Sequence, residues 1–187
     1  MIRMESPSFA FNSVDVPGPN YRMWETWNGS EGLTAAQLVD KILAVNGLAW
    51  EQEQMPLKNI IINSHGRDSG LGISIGGRGL VGIDTGTVLE FQRLRGKRIG
   101  TLWLVACQAA ANPFGKPFCQ ALSVNSGCQV VAGEDNQETG FWGTYRLATT
   151  PQWHYIDEFE GIVYAFTANG GPWRAINPHE DILTIMD

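Results

Sequence analysis

Two residues of this 187-residue chain are placed to do nucleophilic chemistry, and both stand where an apolar run ends. Leu57-Lys58-Asn59-Ile60-Ile61-Ile62-Asn63-Ser64 runs into His65-Gly66, and Thr101-Leu102-Trp103-Leu104-Val105-Ala106 runs into Cys107. Each run has the length and content of a strand buried in a parallel sheet. In open parallel sheets, reactive groups collect beyond the carboxyl ends of the strands, so two neighbouring strands would bring an imidazole and a thiol together. An imidazole within hydrogen-bond reach lowers the effective pKa of a thiol and yields the thiolate, the form that attacks carbonyl carbon. The expected chemistry is that of a cysteine nucleophile with a histidine base.

The other cysteines and histidines lack that placement. Cys119 falls inside the apolar pattern of the helix expected after Cys107, and Cys128 opens a buried strand, so both read as core filler. His154, between Trp153 and Tyr155, and His179, in Asn177-Pro178-His179-Glu180, follow no long apolar run. They read as surface or satisfied structural histidines.

The elements that must position the pair alternate between strand and helix. Phe9 to Val14 and Tyr21 to Trp27 read as strands separated by the turn Pro17-Gly18-Pro19-Asn20. Thr34 caps a helix through Asn46, with Leu38, Ile42 and Val45 on one face and Gly47 as its stop. Then come the His65 strand, a glycine-rich hairpin from Gly70 to Gly79, a helix from Thr87 to Arg95, the Cys107 strand, a helix, and a strand over Gly127-Cys128-Gln129-Val130-Val131-Ala132. Right-handed crossovers are expected to place helices on both faces, giving an α/β fold: a three-layer α/β/α sandwich with a mostly parallel central sheet. One domain over residues 1–187 is expected, with its core at about 21–140 and a β-rich extension at 141–187.

That extension contains short aromatic segments, Phe141 to Leu147, Gln152 to Tyr155 and Gly161 to Phe166, which read as a meander widening the sheet or walling a cleft. Trp142, Trp153 and Trp173 are candidates for a substrate groove, although core packing is the commoner fate of an aromatic in a short strand. Gly70-x-Gly72 and Gly76-Gly77-x-Gly79 sit in a hairpin rather than opening a helix, so they are not a dinucleotide fingerprint. No cofactor and no metal is called for.

The ordered pieces Ser64-His65-Gly66, the hairpin Gly70 to Gly79, the helix Thr87 to Arg95 and Ala106-Cys107 resemble the caspase-like (clan CD) cysteine peptidases, over roughly Leu57 to Gly140. The resemblance is to the smaller bacterial members, in which a Gly-x-x-Val strand comes later, as at Gly127 to Val130. It implies that Cys107 forms a thioester with the acyl group and that His65 takes the thiol proton and later protonates the leaving amine. It also implies an oxyanion hole made by the backbone N–H groups of Gly66 and Cys107. A glycine at 66 would leave the substrate backbone free to approach. An Asp or Asn orienting the imidazole is optional in this family, and neither Asn63 nor Ser64 is assigned that role.

Substrate preference is less legible. Val105 stands where many arginine- or lysine-specific relatives carry Asp and caspases carry Gln. The loop Gly133-Glu134-Asp135-Asn136-Gln137-Glu138 is expected at the same edge as the pair, and its acidity suggests a basic residue in the substrate. Glu134 and Asp135 are the candidate substrate-binding carboxylates, with Asp68, in the loop after Gly66, beside them. A solvated acidic rim is the competing reading.

Composition narrows the partners. Hydrophobic residues make up 43% and charged residues 17%, against about a quarter charged in an average soluble protein, so a compact globule is expected. The net charge is −6, and the basic run Arg93-Leu94-Arg95-Gly96-Lys97-Arg98 suits a helix end, which argues against nucleic acid as a partner. Three cysteines indicate no disulfide framework, and no apolar stretch suits a membrane span or a signal peptide. A cytoplasmic protein, or one exported without a classical signal peptide, acting on a protein or peptide substrate is the expectation. Two other readings stay open: a bacterial effector or toxin hydrolase acting on a non-peptide or cell-wall amide, and a catalytically inactive caspase-like binding domain.

Overall fold

A computed structural model describes residues 1–14, 16, 20–66, 72–77, 82–111, 113–137 and 153–180. The fold is α/β, built on a mixed seven-stranded sheet with three helices among the described residues. The strands are β1 (Ile2–Arg3), β2 (Ser8–Asn12), β3 (Glu25–Asn28), β4 (Asn59–Asn63), β5 (His65–Gly66), β6 (Gly72–Ser74), β7 (Ile83–Asp84), β8 (Thr101–Val105), β9 (Gln129–Gly133), β10 (Tyr155–Ile156), β11 (Val163–Phe166) and β12 (Arg174–Ile176). The helices are α1 (Ala35–Glu53), a 3₁₀ helix at Val88–Leu94 and α2 (Gly115–Ser126).

The main sheet has the order β12-β11-β9-β8-β4-β2-β3. Its five strands β9, β8, β4, β2 and β3 run parallel, and β11 and β12 extend it antiparallel at one edge. The four inner parallel strands, β9, β8, β4 and β2, read in sequence as largely apolar runs because both of their faces are covered, whereas the edge strand β3 is half-exposed. Phe9, Phe11, Ile60, Ile62, Leu102, Leu104, Val130 and Ala132 point to one face and form one cluster. Ala10, Ile61, Trp103, Val105 and Val131 point to the other.

The helices that the structure describes all lie against one face of the sheet. Leu38, Val39 and Ile42 of α1, Val88, Phe91 and Leu94 of the 3₁₀ helix, and Phe118, Cys119 and Leu122 of α2 all join the first cluster. The second face is covered among the described residues by extended chain: Ile2, Met4, Tyr21, Met23 and Ile156, with Phe159 against them. Strand order explains the difference. The connections β3→β4, β4→β8 and β8→β9 all step toward the same edge, so right-handed crossovers put all three helices on one side. The connection β2→β3 steps the opposite way, which puts it on the other face, and it contributes Tyr21 and Met23 there.

Local signals place α1. Thr34 caps it in a capping box: its hydroxyl accepts from the Gln37 N–H, and the Gln37 side chain accepts from the Thr34 N–H. The helix does not stop at Gly47 but continues to Glu53 and ends with Gln54 in the left-handed region, φ 58°. A mid-helix glycine costs only about 0.5–1 kcal/mol, and Ala49 keeps the buried stripe going beyond it. The expected helix over Thr87 to Arg95 is the 3₁₀ helix, and the expected hairpin is the three-stranded sheet β5-β6-β7. Of the other expectations, Pro17 to Pro19, Gly70, Gly79 and Phe141 to Leu147 lie outside the described residues. No helix among the described residues is long and apolar enough to cross a membrane.

Candidate active site

Strands β4 and β8 lie side by side with Asn63 opposite Val105 as their last registered pair. The Ser64 N–H then donates to the Val105 carbonyl at 3.1 Å. Ile61 and Asn63 share a face with Trp103 and Val105. The two backbones stay in contact past the strands. A β-carbon built on Gly66 would lie 1.6 Å from the Cys107 carbonyl oxygen and 2.6 Å from its carbonyl carbon. The structure thus brings residues 65–66 and 107 together at the carboxyl end of the sheet, where His65 and Cys107 are each half-buried. It also gives the glycine a different reason from the one expected: the Cys107 backbone, not an incoming substrate, claims the space.

Each residue enters a new element immediately. His65 and Gly66 pair antiparallel with Ser74 and Ile73 of β6, so the histidine opens the small second sheet. Cys107 leads into a tight turn in which Gln108 has φ 54°, a left-handed conformation that few residues other than glycine adopt. That turn is stitched to the end of β9. The Gln108 N–H donates to the Asp135 carbonyl and the Ala110 N–H to the Gly133 carbonyl, both at 2.9 Å. The Cys107 thiol faces the Gln137 carbonyl, with Sγ 3.6 Å from the oxygen.

The acidic loop divides. Glu134 is engaged within the protein: one carboxylate oxygen accepts from the Tyr164 hydroxyl at 3.1 Å and from the Lys116 ammonium at 3.3 Å. Asp135 is exposed, with its carboxylate over Gly161, where an added β-carbon would stand 2.1 Å from Oδ2. Asp68 and Glu138 lie outside the described residues. Gln137 braces the loop from its other end, donating to the carbonyls of Asp135 at 3.2 Å and Glu160 at 3.4 Å.

The remaining thiols and rings are placed elsewhere. Cys119 is fully buried with Sγ 3.2 Å from the Ala109 carbonyl, and burial pushes its pKa far up. Burial likewise pushes the Cys128 thiol to about 11, against a smaller opposing effect of its hydrogen bond with Ser126. His154 and His179 line a cavity of about 850 Å³ together with Lys58, the residue before β4, whereas His65 and Cys107 follow the far ends of β4 and β8. His154, expected as a surface or satisfied structural histidine, is half-buried, and its Nδ1 has no hydrogen-bond partner. Trp153 and Trp173 are 59% and 42% exposed, so neither is core, and Trp142 lies outside the described residues.

Sequence reading missed Lys116, Tyr164 and Gln137, because their partners are reached only through the fold. It also passed over a row of amides whose signal was present: β2, β3 and β4 each end in asparagine. Asn12 is in register with both Asn28 and Asn63. Asn63 donates to Asn12 at 3.0 Å, and Asn12 donates to Asn28 at 3.2 Å and exchanges two bonds with the Tyr21 backbone. The row leaves two buried oxygens, Asn63 Oδ1 and Ser64 Oγ, without partners directly before His65. Chemically, the arrangement offers a reachable thiol and an imidazole on touching backbones, beside unspent polar groups and one exposed carboxylate. In comparison with known proteins, no family model matches this chain and no curated protein matches it.

Proposed function

We propose that this chain is a cysteine-type hydrolase of the caspase-like kind, in which His65 and Cys107 form a dyad that hydrolyses peptide bonds. The observation that carries this reading is the contact between the Gly66 and Cys107 backbones at the ends of adjacent parallel strands. His65 accepts the thiol proton as sulfur attacks the carbonyl carbon, and the N–H groups of Gly66 and Cys107 stabilise the oxyanion. The imidazolium gives its proton to the leaving amine as the C–N bond breaks, which leaves a thioester. Water then attacks the thioester, losing a proton to His65, and the acid departs as the thiol is restored. The C-terminal strands, read as a short meander, widen the sheet beside this site. Asp135, the exposed carboxylate of the neighbouring loop, is the group to attract a basic side chain next to the cleaved bond.

Peptidyl chloromethyl ketones with basic, acidic and neutral terminal residues test the proposal. A single adduct on Cys107, formed fastest with the basic peptides and absent from Cys107→Ala, is the expected result. A chain that takes up iodoacetamide at Cys107 but no peptide electrophile belongs instead with hydrolases of non-peptide amides.

A further inference from the structure

Lys116 is the second residue of α2 and only 7% exposed. A cation there opposes the helix dipole, and lysine is seldom buried without a partner. Its ammonium lies 3.3 Å from Glu134 Oε2 and 4.1 Å from the centre of the Tyr164 ring, and the Tyr164 hydroxyl donates to the same oxygen. Burial works to lower the ammonium pKa, but the contacts with Tyr164 and Glu134 outweigh it and hold it above its ordinary value. The group is therefore charged. A partly buried ion pair contributes little net stability, because desolvation offsets its attraction, so the pair's effect lies in where it puts Glu134.

Glu134 is the first residue beyond β9. The residues that follow deliver the Asp135 carbonyl to the Gln108 N–H and the Gln137 carbonyl to the Cys107 thiol. We propose that Lys116 is a positioning residue: by clamping Glu134 at the root of the 134–137 segment, it fixes the carbonyl that the Cys107 thiol faces and so sets that thiol's reactivity. This rests on reading Cys107 as the nucleophile. While the sulfur faces that carbonyl it is turned toward the protein's own backbone, so the clamp holds it in check until a substrate takes the place of the Gln137 carbonyl.

The test is iodoacetamide alkylation of the intact protein near neutral pH, with the three cysteines followed separately by peptide mass spectrometry. Lys116→Met should alkylate Cys107 about fivefold faster, the factor given by losing one hydrogen bond of ordinary net strength. Lys116→Arg should restore the parent rate, and Cys119 and Cys128 should stay unlabelled in all variants. An unchanged Cys107 rate in Lys116→Met overturns the proposal, as does equal acceleration at all three cysteines, which signals general loosening. If Lys116→Met does not fold, Tyr164→Phe removes the other donor to Glu134, and an unchanged Cys107 rate there overturns the proposal equally. Alkylation needs no peptide turnover, so failure of the hydrolase reading with peptide electrophiles registers separately.

Discussion

Gly66 and Cys107 share one space: the position a β-carbon would take on residue 66 is already held by the carbonyl of residue 107, 1.6 Å away. No side chain can shift to relieve that overlap, because the obstacle is backbone. Gly66→Ala should therefore cost about 2–3 kcal/mol of stability or more, at the upper end of overpacking effects. Gly47→Ala is the control, since its added carbon meets nothing within 4 Å in α1 and should stabilise by about 0.5–1 kcal/mol. Urea midpoints read both, and an unchanged midpoint in Gly66→Ala would show that the two backbones are not in contact.

The dyad should behave as a unit. Cys107→Ala should abolish turnover, His65→Ala should lower it by about 10²–10⁴, and the double variant should be scarcely worse than Cys107→Ala alone. Steady-state rates on a cleavable peptide decide this. Losses that multiply would mean that the two residues act independently.

Specificity separates the two carboxylates of the loop. Asp135→Asn should lower kcat/KM for basic substrates by about tenfold, the scale of one charge-assisted hydrogen bond, and leave neutral substrates unaffected. Glu134→Gln should affect both classes alike, because Glu134 is held by Lys116 and Tyr164. Equal losses for both substrate classes in Asp135→Asn would reduce the loop to a solvated rim.

Stability should fall on the alkaline side. The Cys128 thiol is raised from 9.0 to about 11, and burial also raises Cys119 and, with the Asp157 charge, Tyr21. A raised acid keeps its proton longer in the folded state, so above pH 9 the unfolded chain binds fewer protons and stability declines with pH. The Cys128 contribution is complete below pH 9.0 and is lost as pH rises toward about 11. Thermal midpoints should hold steady from neutral pH to about 8.5 and drop beyond it, less steeply in Cys128→Ala. An equally steep drop in that variant would remove Cys128 from the account.

The strands that carry His65 and Cys107 were legible because covering both faces of a parallel strand forces an uninterrupted apolar run. The start of α1 was legible because the Thr34–Gln37 capping box is local. What was not legible depends on strand order, which no local pattern encodes: the gathering of all three helices on one face follows from successive crossovers stepping the same way. Glu134 was misleading for a similar reason. In the sequence it is one of a run of acids, and only the fold brings Lys116, 18 residues earlier, and Tyr164, 30 residues later, to its carboxylate.

The extended chain over the second face sets an order of assembly. Trp103, fully buried at the centre of the sheet, is roofed by Phe159, their rings stacked 6.3 Å apart, and β1 finds its partner only in β10. A growing chain can lay down β2, β4, β8 and β9 with their helices and bring Ile2, Met4, Tyr21 and Met23 to the second face, yet Phe159 and Ile156 complete the cover over Trp103 only when residues 153–159 arrive. The first strand waits for the last third of the chain, a long-range closure of the kind that slows folding. Indole emission from Trp103 should accordingly report the final step of folding, and a chain ending before residue 153 should expose a sticky, aggregation-prone face while already holding both ends of the dyad.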